Sequence, residues 1–226
     1  MVDVKIAGGV ARIFLNRPRK VNALDSALLQ ALLQAVKQLP AETRVVVLGG
    51  HGKAFCGGAD VNELSALTAS TAGSFVAGIH DVCEALRRLP VPVLARLHGA
   101  VIGAGLEIAA ACDLRIAAEG TKFAMPEVRL GIPSVVEAAL LPRLMGSGRA
   151  AWLVLTGQAI DARRALEWGL VEEIGGDDAL ERLVETLLKN DAHALASQKE
   201  LLQLWEEAPL AESIAKSIEL FARSKP

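Results

Sequence analysis

The chain has 226 residues, 52% of them hydrophobic, and its 24 basic and 26 acidic side chains leave a formal net charge of −2. That is enough apolar material for one domain with a sizeable core, and too much for a disordered chain. The near-neutral balance gives no reason to expect nucleic acid or an acidic surface as partner, and the longest apolar run falls short of the ~20 residues that span a bilayer.

The first fifteen residues carry no cleavable signal pattern. Cys56, Cys83 and Cys112 form an odd, sparse set without metal-ligand spacing, as expected in a reducing compartment. Together these point to a cytoplasmic protein.

In chain order, "VDVKIAGGVARIFLNRP" reads as a hairpin turning at Gly8-Gly9 and ended by Pro18. "LDSALLQALLQAVKQLP" reads as a helix capped by Asp25, with Leu28, Leu29, Leu32, Leu33, Val36 and Leu39 at helical spacing. "RVVVLGG" is a buried strand by its β-branched run, and it leads into the glycine-rich loop "GGHGKAFCGGAD". A polar helix is expected over Asn62 to Leu67, then a helix in "SFVAGIHDVCEALRRLP" stopped near Pro90. "PVLARLHGA" is a strand, "GAGLEIAAACD" starts a helix, and "LRIAA" is a strand again. "PSVVEAALLPRLMG" is a helix that Pro142 either kinks or divides, and "DARRALEWGLV" is a helix ended at Gly169. From Asp178 the pattern is helical nearly to the end, and no fixed-period repeat is visible. The expected organisation is an α/β core over residues 1–175 followed by a helical region over 176–226, within one domain or as a small appendage.

Two glycine-rich loops precede helices: "FCGGADVNE" and "VIGAGLE". Glycine lets backbone approach a ligand closely, and a helix start offers unpaired N–H groups and a positive dipole end. Two such N–H groups aimed at one point would form an oxyanion hole. Neither loop matches a dinucleotide or Walker pattern. Glu107 follows the second loop within an apolar stretch, where an unpaired charge is costly. It stands three residues after Ala104, on the same helix face as the helix start. Its surroundings raise its pKa while the helix start lowers it, two opposed effects. Glu127, 20 residues later in "KFAMPEVRLGIP", could return to the same place. Read from spacing, Glu107 is either half of an ion pair with Arg115 or Arg129, or one of two carboxylates performing acid–base chemistry.

Other residues carry plainer expectations. Ser134-x-x-Glu137 fits a capping box, with a pocket-lining role for Glu137 as the alternative. Arg17, Arg19 and Lys20 lie in a turn that either is solvated or meets phosphate. Asp60 could cap the helix it precedes. Cys56 has no histidine placed to activate it. His98 suits a turn at a strand end, and Trp152, Trp168 and Trp205 suit packing or interface positions.

The ordered blocks "NRPRKVNALD", "GGHGKAFCGGADVNEL", "HGAVIGAGLEIAAACDLRIA", "FAMPEVRLGIP" and "LTGQAIDARRALEWGLVEEI" resemble the crotonase, or enoyl-CoA hydratase/isomerase, family over most of the chain to Ile174. The resemblance implies an α/β fold, a crotonase-like spiral of ββα units with a helical C-terminal region that covers the acyl pocket and builds homotrimers or dimers of trimers. It implies an acyl-CoA thioester as substrate, with no metal or redox cofactor. By position, Ala59 and Ala104 would donate backbone N–H groups to the thioester oxygen. The family often has glycine at the latter place; alanine keeps the N–H and adds a Cβ. Lys20, Val21, Ala23, Gly58, Asp60, Val61 and Gly103 would line the path of CoA. Glu107 and Glu127 match the hydratase pair, which implies addition of water to a 2-enoyl-CoA. The rivals are an enoyl-CoA isomerase, a thioester decarboxylase or hydrolase, and a catalytically weak scaffold. An RNA-binding variant would need a basic comb on the first helix, and residues 25–39 carry only Lys37. The chain has no tyrosine, against branches that use one for lyase chemistry.

Overall fold

The computed structural model describes residues 1–223. Strands β1 (Val2–Ala7) and β2 (Val10–Leu15) form the expected antiparallel hairpin around Gly8-Gly9. Helix α1 (Ser26–Lys37) follows; the Asp25 carboxylate caps it by accepting from the Leu28 N–H at 2.8 Å. Then come β3 (Val45–Gly50), α2 (Val61–Ala66), α3 (Ala72–Arg87), β4 (Val93–Leu97), β5 (Ala100–Ile102), α4 (Ala104–Ala110), β6 (Leu114–Ala117) and β7 (Lys122–Ala124). The chain continues through α5 (Leu141–Met145), α6 (Ser147–Thr156), β8 (Ile160–Asp161), α7 (Ala162–Trp168) and β9 (Glu173–Ile174). Three helices close it: α8 (Asp177–Lys189), α9 (Ala192–Glu207) and α10 (Leu210–Arg223).

The strands form two sheets. The larger has the order β1-β2-β3-β4-β6-β9, parallel beyond the opening hairpin, and the smaller has the order β5-β7-β8. The chain alternates between them. It passes from β4 to β5 and then into α4, and from β6 to β7 and then into the helices that follow. The earlier turns repeat this with single bridges: Leu24 pairs with Ala59, and Cys56 pairs with Val101. Each turn is thus strand, short strand, helix. The repeat lies in the path, not in any sequence period.

Both faces of the large sheet are covered, so β3 reads as an unbroken apolar run. Val46 and Leu48 face the main core with α1 and α3, while Val45 and Val47 face Ala179, Leu180 and Val184 of α8. Alternate residues of one strand therefore serve two layers. Helix α9 is tied to the core by a buried cation. Lys199 Nζ donates to the carbonyls of Leu86 (3.2 Å) and Val91 (2.9 Å) and pairs with Asp113 at 2.7 Å.

Pro142 divides its segment, the second of the two expected outcomes: a 3-10 turn covers Val136–Leu140, and Pro142 sits in the first turn of α5, where a missing N–H costs nothing. The capping box does not form. Val135 occupies the cap position without a side-chain bond, Ser134 donates instead to Glu127, and Glu137 pairs with His80. The short strands β5, β7, β8 and β9 escape pattern reading because two or three residues show no alternation.

Candidate active site

The site forms where the bridged short strands hand over to helices. In the parallel bridge at Leu24, that residue donates to the Gly58 carbonyl and accepts from the Asp60 N–H, both at 2.8 Å. Ala59, between them, turns its own N–H away from Leu24, and no described acceptor takes it. Ala104 is the first residue of α4, so its N–H has no partner within the helix. The two loops touch. A Cβ on Gly58 would come within 2.9 Å of the Ile102 carbonyl oxygen. Gly103 bears φ +52 and ψ −125, a backbone state that only glycine adopts easily, and a Cβ there would strike Glu127 Oε1. Glu127 therefore lies directly over the start of α4.

One cavity of about 200 Å3 collects these groups. Its lining includes Gly58, Ala59, Val61, Gly103, Ala104, Glu107 and Glu127. Phe75, Val76 and Ile79 of α3 form an apolar wall, opposed by Ile132, Pro133 and Val135. A larger apolar groove between α9 and α10 has no titratable residue in its lining and offers no acid–base chemistry.

Glu107 is 4% exposed. Burial, reinforced by the charges of Glu127 and then Glu137, pushes its pKa up to about 8, against a bond donated by the Ala138 N–H. Of the two opposed effects, desolvation prevails. Neither arginine considered as its partner reaches it: Arg115 is bound to Glu172, and Arg129 donates to the Thr156 carbonyl. Glu127 is half-buried, and its Oε2 accepts from Ser134 Oγ at 2.8 Å.

The remaining expected residues lie along the first loop. Asp60 caps α2 by accepting from the Asn62 N–H at 3.0 Å, and Val61, 63% exposed, borders the cavity. Lys20 is exposed at the end of a 3-10 turn; Val21 and Ala23 hold the loop through their carbonyls, which accept from the Gly57 N–H and from Arg17. Lys20, Val21, Ala23 and Asp60 are not part of the cavity lining. Arg17 is committed to Asp25, Asp60 and the Ala23 carbonyl, which removes it as a free phosphate contact. Cys56 is buried, its thiol pushed up to about 12 by desolvation. His98 sits in a turn, 3.0 Å from the Gly52 carbonyl. Trp152 and Trp168 pack edge to face.

Three features were missed. Asn22, buried and at φ 54, donates from Nδ2 to the carbonyls of His51, Ala54 and Phe55 and accepts the Arg17 N–H, tying the two loops together. Its signal was an asparagine in a turn, a residue type that tolerates positive φ. Ser134 reads in the sequence as a cap and not as a partner of Glu127, seven residues before it, and His80 had no signal, since its contact with Glu137 spans 57 residues. Among the described residues no group of three or more His, Cys, Asp or Glu side chains could hold a metal ion. No helix there is long and apolar enough to cross a membrane.

A doubly covered α/β spiral with adjoining glycine loops and a carboxylate pair is the crotonase type of architecture. An enoyl-CoA hydratase structure from Mycobacterium smegmatis superposes with a TM-score of 0.95 at 32% identity, covering 98% of this chain and 89% of that one. The chain belongs to the enoyl-CoA hydratase/isomerase family, whose model matches residues 5–224. An enoyl-CoA isomerase/hydratase of Mycosarcoma maydis is 33% identical over 220 residues, 92% of this chain and 76% of its relative. A Thermobifida fusca structure described as an enoyl-CoA hydratase in complex with CoA matches with a TM-score of 0.89 at 32% identity, over 98% of this chain and 92% of that one.

Proposed function

We propose that the protein adds water across the C2=C3 bond of a 2-enoyl-CoA to give a 3-hydroxyacyl-CoA. The observation that carries this reading is the placement of two carboxylates and two uncommitted backbone N–H groups on one cavity. The N–H groups of Ala59 and Ala104 would hold the thioester oxygen as it gains enolate charge, an interaction whose loss costs about 3–4 kcal/mol in comparable sites. Ionised Glu107, made strongly basic by burial, takes a proton from water as its oxygen attacks C3. Glu127 delivers a proton to C2. Its Oε2 is occupied by Ser134, which leaves Oε1, the atom over Gly103, to face the substrate. The step requires Glu107 to start ionised and Glu127 to carry the proton it delivers.

By the family resemblance the CoA path would follow Lys20, Val21, Ala23, Gly58, Asp60, Val61 and Gly103; the Thermobifida relative is described in complex with CoA. The thioester is substrate, and the proposed chemistry uses no other organic group. The proposal extends to a homotrimer or dimer of trimers, supported by the apolar face of α10. The test is turnover of crotonyl-CoA. Glu107→Gln and Glu127→Gln should each lose about 100-fold or more in kcat with little change in CoA affinity. Hydration at the wild-type rate by either variant removes that residue from the mechanism. Migration of the double bond in a 3-enoyl-CoA without hydration would favour the isomerase reading.

A further inference from the structure

The hydration cycle leaves Glu107 with one proton too many and Glu127 with one too few, so the pair must be reset before the next turnover. Glu127 is half-buried at the cavity, whereas Glu107 is 4% exposed and loses its route to water once a thioester fills the opening. Behind Glu107 lies a second acidic group that the mechanism does not use. Glu137 belongs to the 3-10 turn packed on both α3 and α4. That turn packs on α4, which carries Glu107, closely enough for the charge of Glu137 to help raise the Glu107 pKa. Glu137 has a 7% exposed side chain, and its Oε2 is buried without a hydrogen-bond partner. Its other oxygen, Oε1, lies 2.8 Å from His80 Nδ1. The His80 side chain is 52% exposed, so its far edge reaches water.

We propose that Glu137 and His80 form a proton outlet from the back of the site, carrying the proton that Glu107 takes from water out to solvent while the thioester still blocks the front. The proton passes from the Glu107 carboxyl to Glu137, and from Glu137 to His80 Nδ1. His80 then releases a proton from Nε2 to bulk water. Glu127 regains its proton from solvent at the cavity, so each cycle balances. Buried acids that both remained charged would repel, which favours sharing of a proton between them. The groups that face this line are Cys83 of α3, against Glu137 and Glu107; Glu84 of α3, near His80; and Glu127 across the cavity. Cys83 is buried and its thiol stays protonated well above the ordinary range, so it adds no competing charge.

The inference rests on the hydratase reading, and the experiment separates the two. Hydration of crotonyl-CoA by the wild-type protein tests that reading alone. If it holds, His80→Gln in dilute buffer should lower kcat by about ten-fold or more, leave KM unchanged, and recover when imidazole is added. Glu137→Gln should lower kcat similarly but resist imidazole, because its break lies inside the protein. A His80→Gln enzyme with wild-type kcat in dilute buffer, or a loss that no buffer restores, overturns the outlet. A second readout needs no turnover: infrared titration of the protonated Glu107 carboxyl, which should shift to lower pH in Glu137→Gln. An unchanged Glu107 titration places the two acids out of contact and overturns the outlet. If the wild-type protein does not hydrate, the hydratase reading and the outlet that rests on it both fall; if it hydrates, the variants and the titration decide the outlet alone.

Discussion

Burial of Glu107 ties the stability of the fold to pH. Its folded pKa, about 8, lies above its ordinary 4.5. The folded protein therefore holds this proton more tightly than the unfolded chain does. The stabilisation is complete below 4.5 and is lost as pH rises toward 8. Glu107→Gln removes that dependence. Between those limits the variant should gain on the wild-type protein by about 1.4 kcal/mol per pH unit, seen as a growing Tm difference in calorimetry. A constant difference would mean that Glu107 is ionised already at low pH. If the same residue is the base proposed above, kcat/KM should rise with pH to a plateau above about 8, read from a pH–rate profile. Ala104 is expected to act through its N–H, so its side chain matters only for size. Ala104→Gly should stay active, with a helix start weaker by about 1 kcal/mol. Ala104→Val should fill the thioester position and suppress turnover with the fold intact. Ala104→Pro deletes the N–H. A folded, fully active proline variant by circular dichroism and rate would exclude this donor.

At the scale of elements, the site depends on loops being held in register by groups away from the chemistry. Asn22 satisfies three carbonyls of the 51–55 loop from one amide nitrogen. Asn22→Ala leaves buried carbonyls unpaired, and should destabilise the protein by about 1–3 kcal/mol in denaturant unfolding. An unchanged midpoint and slope would show that water replaces the amide. The elements legible in sequence were those with long periodic patterns: α1, α3, and β3 with its β-branched run. The loops around Gly58 and Gly103 and the glutamate pair were legible as ordered motifs. What remained hidden was contact between distant segments. No local pattern shows that His80 pairs with Glu137, that Lys199 pairs with Asp113, or that Arg17 reaches Asp60. These are tertiary choices that override local preference.

At the scale of the molecule, the C-terminal region divides in two. Helices α8 and α9 are bound to the core, through Leu180 and Val184 and through Lys199. Helix α10 leans on α9, with Trp205 Nε1 donating to Ser217 Oγ at 3.0 Å. Beside that contact Leu210, Ile214, Ile218 and Phe221 line the open groove between the two helices and stay largely in solvent, 53–77% exposed and at helical spacing. An apolar stripe of this kind marks an association surface, and the proposed trimer would cover it. Light scattering at micromolar concentration should give three or six chains, and Ile218→Glu should shift the population toward monomer. A monomeric wild-type protein would reject the assembly.

The winding of the chain between two sheets also sets a timetable. Parallel pairs such as Ile116 with Glu173 join residues far apart in sequence, and the opening hairpin is the local exception. Chains dominated by such distant pairings pay loop entropy before they gain contacts, and they fold slowly. In the folded chain the glycine loops meet beside the bridge between Cys56 and Val101 of β5, and Glu127 follows β7, which pairs with β5. Because those contacts need the spiral to be wound, regain of the proposed activity during refolding should trail the recovery of helical signal in circular dichroism, a clock for the closing of the spiral that simultaneous recovery would reject.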